Sequence, residues 1–96
     1  MSEVHYITLR VCITGRVQGV CYRVWTEEQA TALGLNGWVR NHHDGSVEAI
    51  FSGLERRVED MITACYQGPP SARVDGVERH AFSEEVAPGF HTLPTV

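Results

Sequence analysis

The sequence predicts an α+β sandwich, with two helices packed on one face of a mostly antiparallel sheet of four to five strands. Three observations carry that expectation. Apolar residues alternate with period two over 5–14, 36–42 and 46–52; an Asp44-Gly45 turn joins the second and third of these runs; and an apolar stripe at helical spacing covers 54–65. A strand buries every second side chain and a helix every third or fourth, so the two periods separate the elements.

The first strand is expected over 5–14, with Ile7, Leu9, Val11 and Ile13 facing the core and Tyr6, Thr8, Arg10, Cys12 and Thr14 facing away. After a glycine-punctuated loop, 22–34 reads as a helix: Tyr22, Trp25 or Thr26, Ala30 and Leu33 lie near helical spacing, and Gly34 suits its end. Glu27 and Glu28 are expected early enough to favour the helix dipole, and Trp25 is expected to pack rather than stack on a ligand. The second strand, 36–42, puts Gly37, Val39 and Asn41 on one side and Trp38 and Arg40 on the other. Asp-Gly tolerates the positive φ of a tight hairpin. The third strand, 46–52, then points Val47, Ala49 and Phe51 inward and Glu48 and Ile50 outward.

Leu54, Val58, Met61, Ile62 and Cys65 form the stripe of a second helix, in which Met61 is core. Ser52 and Glu55 have capping-box spacing, and Gly68-Pro69-Pro70 stops the helix. Ala72, Val74 and Val77 suggest a fourth strand to about residue 82 with an irregularity near Gly76. Residues 83–89 read as an exposed loop, and 90–93 as a short last strand. The order is strand, helix, strand, strand, helix, strand, with right-handed crossovers that put both helices on one face. That is the ferredoxin-like βαββαβ sandwich, expected as one domain over residues 1–96.

Composition narrows the class of partner. The net charge is −4 and the eight basic residues are all arginines scattered along the chain, without the clustered basic face that nucleic acid requires. No apolar run approaches the roughly 18 residues of a membrane span. Residues 1–5 carry neither a basic nor an apolar leader segment, so a cytoplasmic location is expected. Cys12, Cys21 and Cys65 form no C-x-x-C pair, so no disulfide framework or zinc site is signalled, and Cys12 and Cys65 read as small apolar residues.

Chemistry concentrates in the loop Gly15-Arg16-Val17-Gln18-Gly19-Val20-Cys21-Tyr22-Arg23. Two glycines and a following helix N-terminus can aim several amides at one anion, and Arg23 adds a planar fork matched to two phosphate oxygens. A nucleophilic Cys21 is disfavoured, because the C-x5-R spacing of phosphatase loops is missing: the next arginine is two residues on. Asn41, on the core side of its strand, either caps the Asp44-Gly45 turn or serves the loop. His42 and His43 point to opposite faces and so do not chelate one ion; they read as solvated turn residues, and no metal site is expected. With no carboxylate pair or Ser/His/Asp set, such a site suits phosphoryl transfer from a substrate with a good leaving group.

Gly15 to Arg23, G-R-V-Q-G-V-C-Y-R, resembles the first signature of the acylphosphatase family. Gly37-Trp38-Val39-Arg40-Asn41, with Gly45, Val47 and Gly53 at their spacings, is similar to the second; together they cover about a quarter of the chain. Leu33-Gly34-Leu35, Gly68-Pro69 and Ala72-Arg73-Val74 also look typical of it. The resemblance implies hydrolysis of the carboxyl-phosphate bond of a small acyl phosphate to carboxylate and inorganic phosphate, with no metal or cofactor. By position, Arg23 matches the family's phosphate-binding arginine and Asn41 the asparagine that orients the attacking water. The amides of Gln18, Gly19, Val20, Cys21 and Tyr22 are implied to hold phosphoryl oxygens, with the phosphate itself accepting the water's proton. Cys21 falls at a variable position, Arg16 at a common basic one, and the 90–94 tail departs mildly from the pattern. A monomer that binds neither nucleic acid nor membrane is expected. Two other readings remain: a non-catalytic phosphate- or acyl-binding module, and an RNA-binding sheet, which would need exposed aromatics on its central strands.

Overall fold

The computed structural model describes residues 4–96; the reading of residues 1–3 as free of a leader lies outside the described residues. Strand β1 (Tyr6–Arg16) is followed by helix α1 (Tyr22–Ala32), the hairpin of β2 (Asn36–Asn41) and β3 (Val47–Leu54), helix α2 (Glu55–Gln67), β4 (Arg73–Ala81) and a short β5 (Phe90–Thr92). The sheet order is β4-β1-β3-β2-β5, antiparallel except for the β2–β5 pair. This is the expected ferredoxin-like sandwich.

Alternation builds its core. Val11 and Ile13 of β1, Val39 of β2, and Val47, Ala49 and Phe51 of β3 are fully buried beneath the helices. They meet Tyr22 and Ala30 of α1 and Val58, Met61, Ile62 and Cys65 of α2. Each such apolar side chain contributes roughly 1.5–3 kcal/mol on burial. Tyr22 is the main tie between the helices: its hydroxyl donates to the Cys65 carbonyl at 2.7 Å, and burial pushes its ionisation far upward, leaving it a neutral donor. Burial likewise pushes the Cys65 thiol up to about 12, which suits an inert apolar residue. Trp25 packs edge-on against Tyr22, with ring centroids 5.2 Å apart.

Several local expectations are corrected. Ser52 does not cap α2; it stays in β3, where its hydroxyl meets that of Thr8 at 2.7 Å, and α2 starts behind Leu54 with the Glu55 N–H donating to the His5 carbonyl. A helix that grows directly out of a strand has no free residue to form the box. Leu54 is therefore the cap, 36% exposed, and not part of the buried stripe. Glu27 and Glu28 lie beyond the first turn of α1, too far along to meet its dipole; Glu27 instead accepts the Thr92 hydroxyl at 2.6 Å. Glu48 and Ile50 are on the face away from the helices, as expected, yet both are buried. The reason is the position of β3: it is the middle strand, and the side chains of β1 and β2 flank it on both sides. Ile50 has Arg10 and Trp38 as register partners, and Glu48 has Cys12 and Arg40.

Two features place the loop and the hairpin. Near Gly76 the expected irregularity is a bulge: Thr14 pairs with Gly76 but Gly15 with Val74, so Asp75 is the extra residue where β1 runs out into the loop. At Gly37 a side chain would put a Cβ 1.8 Å from the Ile50 carbonyl oxygen, so only glycine lets β2 approach β3 there.

Candidate active site

The loop between β1 and α1 is anchored by Val17, which is buried in the core. Beyond it the backbone turns through two left-handed residues, Gly19 at φ 74° and Cys21 at φ 64°. Nothing lies within 4 Å of a Cβ built on Gly19, so glycine serves conformation there and not space. Cys21 is the only non-glycine residue with positive φ among the described residues, and it forms the N-cap of α1 without a side-chain cap bond. The uncapped first turn of α1 borders a cavity of about 340 Å³, lined by Val17, Gln18, Gly19, Cys21, Tyr22, Arg23, Val24 and Asn41. Unpaired first-turn amides and the dipole favour an anion at such a place.

Most of the expected site residues therefore meet, although they differ in what they do. Arg23, half-buried, is the one cation lining the cavity among the described residues, and no aspartate, glutamate or histidine among them lines it. Tyr22 lines it with a side chain whose hydroxyl is committed to Cys65. The Val20 side chain is not part of the lining; it packs against the core. The Gln18 side chain turns to the hairpin, donating to the His42 and Ser46 carbonyls at 2.8 Å each. Arg16 is exposed and outside the lining. Val17 and Val24 were not expected in the lining. Their only sequence signal is that they flank the glycine loop and Arg23.

Asn41 ends β2 and faces the helices, as the alternation predicts. It is 9% exposed, and its Oδ1 has no hydrogen-bond partner among the described residues. Turn capping does not account for it. The hairpin is closed by the His42 N–H donating to the Ser46 carbonyl and the Gly45 N–H to the His42 carbonyl, while Asp44 Oδ1 accepts from the Ser46 hydroxyl and N–H at 2.7 and 2.9 Å. Those two bonds hold the Asp44 carboxyl below its ordinary range. An unpaired buried amide oxygen costs on the order of 1–3 kcal/mol, so it needs a reason. Asn41 lies in the wall of the cavity that Arg23 also lines.

On the opposite face, His42 is half-buried and donates from Nε2 to Glu48 Oε1 at 2.7 Å, which corrects its reading as a solvated turn residue; His43 is exposed. Glu48 also accepts from Arg40 Nε at 2.9 Å and Arg10 Nη1 at 3.1 Å. Burial, the largest single influence, raises the Glu48 carboxyl, but the three hydrogen bonds together outweigh it and hold it below the ordinary value. Among the described residues, no three His, Cys, Asp or Glu side chains gather as a metal site would need.

A model of the acylphosphatase family matches residues 9–92. The chain belongs to the acylphosphatase family. An acylphosphatase of Bradyrhizobium diazoefficiens is 54% identical over 94 residues, covering 92% of this chain and 95% of that protein. Among solved structures, an acylphosphatase from Coxiella burnetii superposes with a TM-score of 0.89 at 28% identity, covering 97% of this chain and all of the other. One from Bacillus subtilis gives 0.86 at 28% identity, covering 91% and 98%. The chain is accordingly an enzyme that hydrolyses acyl phosphates. Its substrate is a small molecule, and among the described residues no helix is long and apolar enough to cross a membrane.

Proposed function

We propose that the cavity between α1, the loop and β2 is where this acylphosphatase works, with Arg23 and Asn41 as its catalytic residues. The phosphoryl group sits at the N-terminus of α1, held by the amides of Gln18 to Tyr22 and by the Arg23 guanidinium, which neutralises charge as the bond to the carboxyl oxygen breaks. Asn41 Oδ1 accepts a hydrogen bond from a water and aims its oxygen at phosphorus. Water oxygen bonds to phosphorus, the P–O bond to the carboxyl group breaks with its electron pair leaving on the carboxylate, and the water's proton passes to a phosphoryl oxygen. No aspartate, glutamate or histidine among the described residues lines the cavity, which supports giving that proton to the substrate, and a carboxylate leaves well enough not to need an acid.

The single observation that carries this reading is that Asn41, buried and with its Oδ1 unpaired among the described residues, lines the cavity that holds Arg23. Benzoyl phosphate hydrolysis by wild type, Arg23→Gln and Asn41→Ala tests it. Each variant is expected to lose about two or more orders of magnitude in kcat/KM, the cost of one preorganised contact to a developing charge or nucleophile. Full activity in folded Asn41→Ala overturns the water-orienting role.

The same reading takes residues 1–96 as one domain, supported by one core shared by the sheet and both helices. It takes the chain as a monomer, since the exposed edge strand β4 carries Arg73, Asp75, Glu78 and Arg79, charges that discourage edge pairing. It excludes nucleic acid because the net charge is −4. A cytoplasmic location is supported by three cysteines that are all free.

A further inference from the structure

The Gln18 side chain reaches across the cavity's edge to the turn that ends β2. Its Nε2 lies 2.8 Å from both the His42 and the Ser46 carbonyl oxygens. An amide NH2 has two protons, and both are used. Each carbonyl also accepts one bond inside the hairpin: His42 O from the Gly45 N–H at 3.1 Å, Ser46 O from the His42 N–H at 2.9 Å. Gln18 thus fills the second lone pair of each of the two carbonyls that close the turn. Among the described residues no other side-chain hydrogen bond joins loop 17–21 to turn 42–46.

We propose that Gln18 is a positioning residue that sets the distance between the phosphate loop and Asn41, and so between the phosphoryl group and the water. This rests on the reading of Asn41 given above. His42 is the next residue after Asn41, so a bond to its carbonyl ties down the end of the strand that carries Asn41. Both sides of the gap also need holding. On the loop side, Gly19 and Cys21 follow Gln18 in left-handed conformations, of which the Cys21 one persists only when neighbours over-determine it. On the hairpin side, the unpaired Asn41 Oδ1 gains by any relaxation that finds it a partner. A glutamine is suited to this place and a glutamate is not, because two carbonyl oxygens require two donors.

The test is kinetic. Gln18→Ala, Gln18→Asn and Gln18→Glu are compared with wild type on benzoyl phosphate, with inorganic phosphate as inhibitor, folded fractions being fixed by circular dichroism and thermal unfolding. A misplacement of about 1 Å costs on the order of 100-fold, so kcat should fall roughly 10- to 100-fold in Gln18→Ala and Gln18→Glu and less in Gln18→Asn. The inhibition constant of phosphate should move by no more than about threefold, because Arg23 and the loop amides stay on one side of the gap. The deciding experiment is the double variant. In an Asn41→Ala background, Gln18→Ala should cost about twofold or less, since no oriented water is left to misplace. If Asn41→Ala is inactive yet the Gln18 effect persists undiminished beside it, Gln18 acts otherwise and the positioning role is overturned. If Asn41→Ala is itself fully active, it is the Asn41 reading that fails. If phosphate inhibition weakens in step with kcat, Gln18 shapes the loop alone and the proposal is again overturned. Should Gln18→Ala not fold, Gln18→Asn, an amide one methylene shorter, gives the same cycle.

Discussion

Asn41 and Glu48 are polar, nearly equally buried at 9% and 6% exposed, and sit on the same hairpin on opposite faces of one sheet. Their surroundings are opposite in kind. Glu48 lies between the side chains of β1 and β2 and is met by Arg10, Arg40 and the turn residue His42, with both carboxylate oxygens engaged. Arg40 in turn lies 4.6 Å over the Trp38 ring, which holds the guanidinium in place. Asn41 lies under the helices, beside a cavity, with its oxygen unpaired. A buried polar group that has found its partners is part of the framework. One left without them, in the wall of a cavity that Arg23 also lines, is not accounted for by the framework, and that supports the catalytic reading proposed for it. The rest of the hairpin is tied down, by Asp44 within the turn and by Gln18 across it.

The contrast breaks if either residue behaves like the other. The largest effect is expected at Asn41. Asn41→Ala should lower kcat/KM for benzoyl phosphate by about 100-fold or more while leaving the unfolding midpoint unchanged or slightly raised, since a desolvated orphan is removed. A clear loss of stability without loss of rate sinks the assignment. Glu48→Ala should do the reverse. Stripping the acid from beneath two half-buried arginines and a histidine is expected to cost about 2–4 kcal/mol in denaturant unfolding, with kcat of the folded protein within about threefold of wild type.

The pH dependence of stability sharpens the same point. Glu48 has its carboxyl lowered in the fold, so its contribution is complete above the unfolded value near 4.5 and is lost as pH falls through the folded value. Unfolding free energies of wild type and Glu48→Gln, measured from neutral pH downward, should differ by a constant amount until about pH 4.5 and converge below it. A gap that widens on acidification contradicts the ion cluster. The smallest effect belongs to Tyr22, which lines the cavity but spends its hydroxyl on Cys65. Tyr22→Phe should cost about 1 kcal/mol of stability by calorimetry, the net worth of one buried hydrogen bond. A drop in kcat as large as that of Asn41→Ala would place the hydroxyl in the reaction instead.

Where the sequence erred, the errors share a cause. Ser52 and Glu55 have the right spacing for a capping box, but spacing says nothing about whether Ser52 is still in a strand, and it is. Glu48 and Ile50 alternate outward correctly, yet alternation reports a face and not its exposure; only the order β4-β1-β3-β2-β5 reveals that β3 is central. His42 read as solvent-facing because Glu48, its partner, lies six residues away across the turn. Gln18 belonged to the right loop, but nothing local separates an amide that binds a ligand from one that ties two segments together.

Period-two runs, the Asp44-Gly45 turn and the helical stripe determined the elements and their faces, because those patterns are local consequences of backbone geometry. The glycine loop with Arg23, and Asn41 on the core side of β2, were legible for the same reason. Tertiary structure decided how these pieces meet. It put Arg23 and Asn41, eighteen positions apart by number, in the wall of one cavity of about 340 Å³, gave Glu48 two arginines and a histidine while leaving Asn41 Oδ1 unpaired among the described residues, and turned Gln18 across the gap. Those are matters of which lone pairs and protons find partners across the fold, and partners distant in the chain leave no period in the sequence.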